Sequence, residues 1–409
     1  MRRLAWEIWL KRSLIGLSVL IFIAAVSLWL LSVRWRSEFD REVALLDALQ
    51  EPTHATQLAP APIPDSENAA LTIMKAALLL KSLDKEEEPD LDHYRDDKDA
   101  DLAVLERWVA GRREYYDLMT EAVSQKRSRY PVEYAKGCQF DNPIIADITR
   151  CGRASVLRAI LTSRKGSGSP SPDLQAVLRL SGSLSGEPLL VSQFVRYVLF
   201  ELAADSLKMD GLKLASEEWR DLGSRFAAES FSEDYVRSMQ MERATAIEVC
   251  RTQLFKGSFA TAPDRPPESW WWVTPFAPRM GTHYLLSLTR AIEVSKLPYA
   301  LAQPKELALS MELGRQRSWD QALGSLVISG LLRGHLVMAG TQSVQTVATE
   351  YCRIKAEGRA PESLDVVDPL TGMPLRYQRT PDGFRLWGVG RNLTDDDGTG
   401  DDFLLKTPE

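Results

Sequence analysis

The sequence predicts a mainly α-helical protein: an N-terminal transmembrane helix, an irregular helical bundle or stack, and a small C-terminal β-hairpin module with an acidic loop. Three observations predict it. Residues 13–33 form an uncharged apolar run, apolar side chains recur at helical spacing from Ser66 to Gly358, and period-two alternation appears only after that glycine. The chain has 409 residues, 44 % hydrophobic and 26 % charged, which suits one large or two ordinary domains around a buried core. Its net charge of −6 speaks against a nucleic-acid partner, which would need a basic face.

The anchor comes first. Ser13 to Val33 is 21 residues without a charge. At about 1.5 Å per residue it reaches roughly 31 Å, the thickness of a bilayer's hydrocarbon core. Trp6 and Trp9 precede it and Trp29 and Trp35 stand near its end, as interfacial belts require. A cleaved signal peptide would carry an apolar region of only about 7–15 residues and a small-x-small site. This run closes instead on Leu30, Leu31, Ser32, Val33 and Arg34, so an uncleaved, single-pass anchor is expected. Arg2, Arg3, Lys11 and Arg12 precede the span and Arg34, Arg36 and Arg41 follow it, a bias of four to three. That bias places residues 1–12 in the cytoplasm and the rest of the chain outside. The later run Ala322–Gly340 contains Arg333 and His335 and reads as a buried amphipathic helix, not a second span.

Phe39, Val43, Leu46 and Leu49 keep helical spacing, so the anchor helix continues beyond the membrane. Pro52, Pro60, Pro62 and Pro64 then predict a stiff, extended connector, giving a juxtamembrane segment over 34–65. The helical domain covers 66–358. Asn142-Pro143 and Glu187-Pro188 mark helix starts, Ser318 with Gln321 fits a capping box, and Gly358 a helix stop. Breaks fall at Arg164–Pro172 and Gly257–Pro278, and no β-strand is expected in this region. Asp84–Asp101 holds ten acidic residues, either a solvated connector or a cation-attracting loop. Trp270, Trp271 and Trp272 either pack on the helices or meet a lipid surface or ligand.

Few residues point to chemistry. Of four cysteines, Cys138 and Cys151 are the nearest pair, and a disulfide between them is possible outside the cytoplasm. Other pairings and buried free thiols stay open. His54, His93, His283 and His335 are scattered without zinc-ligand spacing. Gly182–Gly186 reads GSLSG, with Leu184 where a nucleophile elbow needs serine. If the helical domain hides carboxylate chemistry, Glu201, Asp205 and Glu242 on apolar-rich helices are the candidates.

Residues 359–409 change character. Asp368-Pro369 and Thr371-Gly372 mark a turn. Leu375, Tyr377 and then Phe384, Leu386 alternate on either side of Pro381-Asp382-Gly383, which predicts a hairpin. A loop follows with Asp395, Asp396, Asp397, Gly398, Gly400, Asp401 and Asp402. Clustered oxygens with glycine curvature suit calcium, without the twelfth-position glutamate of an EF-hand; a solvated acidic tail is the other reading.

The order Gly358, Pro361-Glu362-Ser363-Leu364, Asp368-Pro369, Gly372, Pro374, Tyr377, Gly383-Phe384, Leu386, Gly390, Asp395-Asp396, Asp401-Asp402 resembles the C-terminal end of type II secretion major pseudopilins. The resemblance implies a hairpin followed by a calcium-binding loop, with Asp395, Asp397, Asp401 and Asp402 as ligands. The prepilin-peptidase pattern is replaced here by Gly16-Leu17 with Ile21 at the fifth place, so pilus processing is not implied. Glu67-Asn68-Ala69-Ala70, Glu187-Pro188 and Met241-Glu242-Arg243-Ala244 extend the likeness to a set of large, uncharacterised bacterial membrane-anchored proteins ending in this module. That likeness implies an inner-membrane location with the bulk of the chain periplasmic, and no particular reaction. Together these features read as an envelope-facing scaffold that binds an envelope protein, the alternative being a hydrolase-like envelope enzyme with its site among the helices.

Overall fold

The helix that carries the apolar run continues past Val33. In the computed structural model, which describes residues 2–83, 88–97, 99–136, 145–256, 258–259, 268–269, 273–315, 319–381 and 383–407, α1 (Arg2–Ala48) is one unbroken helix. It is long and apolar enough to cross a membrane. Its last turns present Phe39, Val43 and Leu46 on one stripe, and all three are buried against Ile247, Cys250, Phe255, Ala277 and Leu285. Burying three such side chains contributes on the order of 4–8 kcal/mol, which holds the helix to the body. Leu49 does not join the stripe. The helix has ended, Gln50 adopts φ 58°, and Leu49 is left 73 % exposed.

The proline-rich segment is a strap, where an extended connector was expected. Ala55–Leu58 wind into a 3-10 turn whose Ala55 and Leu58 are buried. Arg237 donates to the Leu58 carbonyl at 2.8 Å, and the Ala55 amide donates to Glu248 at 3.2 Å. The stretch from Ala59 to Pro64 forms no helical turn.

The helical body then builds up in chain order. α2 (Ala69–Ser82) is capped by Asn68, which accepts from the Ala70 amide at 3.2 Å. In the acidic run, Asp90 caps α3 (Leu91–Asp96) and Asp101 caps α4 (Leu102–Ala110), so two of its carboxylates start helices. From α5 (Arg113–Ser124), the Tyr115 and Tyr116 hydroxyls donate to the Cys151 and Ala154 carbonyls of α6 (Ile145–Lys165) at 2.6 and 3.1 Å. The expected Gly-Ser-Pro break separates α6 from α7 (Ser171–Ser183). Glu187-Pro188 precedes α8 (Leu190–Asp205), and the buried Glu187 carboxylate accepts from the Tyr130 amide and the Tyr134 hydroxyl.

α9 (Ser216–Ala227) and α10 (Ser232–Thr252) complete this layer. Arg196 of α8, fully buried, bonds Glu229 at 2.5 Å and Asp234 at 2.6 Å and stacks on Phe231. The Gly257–Pro278 break contains a two-residue antiparallel ladder, β1 (Ser258–Phe259) with β2 (Glu268–Ser269), too short to leave an alternation in sequence. α11 (Ala277–Ser295) and α12 (Tyr299–Arg315) lead into α13 (Trp319–Glu357), 39 residues long. The run with Arg333 and His335 is part of α13, and Ile328, Leu331, Leu332, Met338 and Ala339 are buried. His335 is buried too, its Nδ1 2.5 Å from Glu306 of α12. α13 packs on α8, α9, α11 and α12, and Gly358 ends it at φ +66°.

Cys138, Asn142-Pro143, Trp270–Trp272 and Ser318 lie outside the described residues. Cys151, the other half of the expected disulfide, is fully buried under Tyr115.

Candidate functional site

The C-terminal module is welded to the helices. After Gly358, Asp368 organises a tight turn, its carboxylate accepting from the Leu370 amide at 2.9 Å and the Thr371 hydroxyl at 3.2 Å, while Gly372 takes φ +70°. The expected hairpin forms from β3 (Arg376–Thr380) and β4 (Gly383–Gly388), with Arg376 opposite Trp387 and Thr380 opposite Gly383. A third strand, β5 (Phe403–Lys406), returns on the far side of β4 with Gly388 opposite Phe403. The sequence carries no expectation for β5, whose four residues are too short to show a period. Leu375, Phe384, Leu386 and Leu405 enter the same core as Val347, Ala348, Tyr351 and Cys352 of α13.

The acidic loop between β4 and β5 is arranged around Asp402. Its Oδ1 accepts from the Gly390 amide at 2.9 Å, and its Oδ2 from the Asp396 and Gly398 amides at 2.8 and 3.0 Å. Asp401 accepts from the Asn392 amide at 2.8 Å. Asp395 accepts from Arg376 Nε at 2.6 Å and Trp387 Nε1 at 3.1 Å, which holds its carboxyl below the usual range. The Asp397 backbone carbonyl accepts from Arg385 at 2.7 Å. Calcium takes six to eight oxygens converging at about 2.3–2.6 Å. Here N–H groups converge on oxygen instead, and among the described residues no group of three or more His, Cys, Asp or Glu side chains is placed to hold a metal ion. The four expected ligands, Asp395, Asp397, Asp401 and Asp402, thus lie on one loop, with the Asp395, Asp401 and Asp402 carboxylates engaged by N–H donors.

The loop faces the helices across a cleft. Its larger hollow, about 640 Å³, is lined by Asp96, Lys208, Trp219, Tyr351, Lys355 and Asp402. A smaller one, about 240 Å³, is lined by Glu201, Lys208, Ser343, Arg391 and Asp401. Arg391 crosses the gap and bonds Glu201 on α8, which also accepts from Thr341 of α13 at 2.6 Å. Burial holds the Glu201 carboxyl above its ordinary value, against the pull of Arg391 and Thr341. Lys208 bonds Asp205 at 2.7 Å and lies 4.3 Å over the Phe403 ring. Gly340 makes room for the crossing, since a Cβ there would stand 2.7 Å from Arg391 Nε.

Glu201, singled out on the helices, thus lines the same hollow as Asp401 and Asp402, singled out in the tail, and Asp205 reaches that hollow only through its bond to Lys208. Glu242 does not: it lines neither hollow, and burial beside Tyr284 raises its carboxyl. Glu201 and Asp205 both have their lone pairs engaged by cations. Arg391 escaped sequence reasoning because its partner is 190 residues away; its setting between Gly390 and Asn392 in a turn was the one local signal. No protein-family model, no curated protein and no solved structure matches this chain.

Proposed function

We propose that the protein is a single-pass, envelope-facing helical scaffold that presents the cleft between α8, α13 and the acidic loop to an envelope protein partner. One observation carries this reading: Arg391–Glu201 and the shared core lock the module onto the body, so the cleft is a pre-formed surface. Pre-formed surfaces bind without an ordering cost. The anchor, the lysine-plus-arginine bias of its flanks and the likeness of residues 358–402 to the pseudopilin end support a periplasmic placement in a bacterial inner membrane.

Two experiments test it. A cysteine at the exposed Thr399, where Gly398 would be strained by its φ of +75°, is labelled in intact cells by a membrane-impermeant maleimide. Labelling only after lysis inverts the topology. A photo-crosslinking residue at Thr399 gives a discrete adduct that Arg391→Ala abolishes, whereas one at Glu114 on α5 gives none. Equal adducts at both positions, or none at either, overturn the scaffold reading.

A further inference from the structure

The depth at which the body meets α1 has a consequence for lipid contact. The helix is continuous, so Trp35 lies only about 3 Å along its axis beyond Val33, and Phe39 about 9 Å beyond it. Residues 11–27 are exposed, but Leu28, Ser32 and Trp35 are already half-buried and Phe39 is fully buried. Phe276, just before α11, has its ring 6.2 Å from that of Trp35, and the Arg279 guanidinium stands 5.4 Å over Trp35. Arg36 lies 5.5 Å over Phe255, at the end of α10's connection. The headgroup layer on each face of a bilayer is roughly 5–8 Å thick. With Ser13–Val33 in the hydrocarbon core, the near end of the body therefore stands inside that layer, and the proline strap, which comes later in the chain, separates nothing from the membrane.

We infer that this end of the body is a docking surface for anionic phospholipid headgroups, a reading that rests on the anchor proposed above. Charge is ordered along the helix to suit it. Arg34 and Arg36 come first, and Glu38, Asp40 and Glu42, with Arg41 among them, stand farther out. Arg34 pairs back to Glu38 at 3.1 Å, and Arg251 of α10 pairs with Asp40 at 2.9 Å, so both of these acids are neutralised by arginine. Tryptophan and phenylalanine at this depth place apolar rings at the hydrocarbon boundary, and guanidinium groups stacked on them reach phosphate with planar donor pairs. The surface fixes the body's tilt, and so the height at which the cleft is held above the bilayer.

The test uses the full chain in lipid nanodiscs, with an environment-sensitive fluorophore on Leu20→Cys, Pro275→Cys or Thr399→Cys and the unsubstituted chain as background. Spin-labelled headgroups are expected to quench the probe at 275 several-fold more than that at 399. Raising anionic lipid to roughly a third strengthens that quenching, and Arg36→Glu with Arg279→Glu lowers the docked-to-undocked ratio by roughly fivefold or more. A probe at 275 as unquenched as that at 399, while mid-chain spin labels quench the probe at 20, overturns the docking surface. Shielding of 275 from aqueous quencher without lipid quenching puts protein there and also overturns it. An unquenched probe at 20 overturns the anchor itself.

Discussion

Arg243, completely buried on α10, sets its Nη2 2.6 Å from the carboxylate of Glu51, just past the end of α1. Gln240 and Lys296 reach the same carboxylate at 3.0 and 3.4 Å. Burial alone would raise the Glu51 carboxyl, but Arg243, Lys296 and Gln240 outweigh it and hold it below its ordinary value. The chain is therefore pinned where it leaves α1 and turns into the proline strap.

Glu51→Ala strands a buried guanidinium. Removing one partner of a buried pair costs about 3–5 kcal/mol, and because Glu51 keeps 21 % of its side chain exposed, roughly 2–3 kcal/mol is expected here. Urea unfolding in detergent micelles measures the loss, and limited proteolysis should cut the Pro52–Pro64 strap faster. An unchanged midpoint with an unchanged cleavage rate removes the pin.

Gly340→Ala places a methyl against Arg391 and should push it off Glu201. The expected destabilisation is about 1–3 kcal/mol, with faster hydrogen exchange confined to β4 and β5. Arg391→Ala should reproduce the exchange pattern. If exchange rises evenly across the helices instead, the arginine is not what holds the module.

Asp402→Asn replaces an acceptor that serves the Gly390, Asp396 and Gly398 amides, and an expected loss of about 1–3 kcal/mol follows from leaving donors unmatched. Because those amides engage its lone pairs, the melting curve of the full chain should be the same in chelator and in excess calcium. A calcium-dependent rise in melting temperature that Asp402→Asn abolishes would place the ion in the loop and overturn the amide-held arrangement.

Asp173, buried on α7 against Arg158, gives the pH prediction. Burial pushes its carboxyl up to about 6 even though Arg158 pulls it down. The unfolded value is about 3.9, so the folded chain holds this proton more tightly. The contribution is fully present below about pH 4 and is lost as pH rises through about 6. The stability difference between wild type and Asp173→Asn should thus move in favour of wild type on acidifying from neutral, by at most about 2–3 kcal/mol. A difference that moves the other way means that the ion pair with Arg158 dominates.

Elements whose signal is local were legible. The length of α1, the start after Glu187-Pro188, the stop at Gly358 and the hairpin around Pro381–Gly383 each follow from residues within a few positions of one another. The long apolar run with Arg333 and His335 also read correctly, as one buried helix, because its charges forbid a span. β1, β2 and β5 were missed, being two, two and four residues long and carrying no measurable period. The strap was misread because proline spacing reports stiffness and says nothing of the Arg237 and Glu248 groups that tie it down.

The sequence by itself determined the long apolar N-terminal helix, the helical class of the body and the order of its parts, since backbone propensity and apolar periodicity act over neighbouring residues. Only the tertiary structure decided that α1 enters the body without a stalk, and that Arg196, Arg243 and His335 find acids across the fold. It also decided that Glu201 of α8 and the acids of the C-terminal loop share one cleft around Arg391. The partners in these pairs are 29 to 192 residues apart. Buried charges demand partners, but which ones they meet is set by how the helices pack, and no local pattern records that.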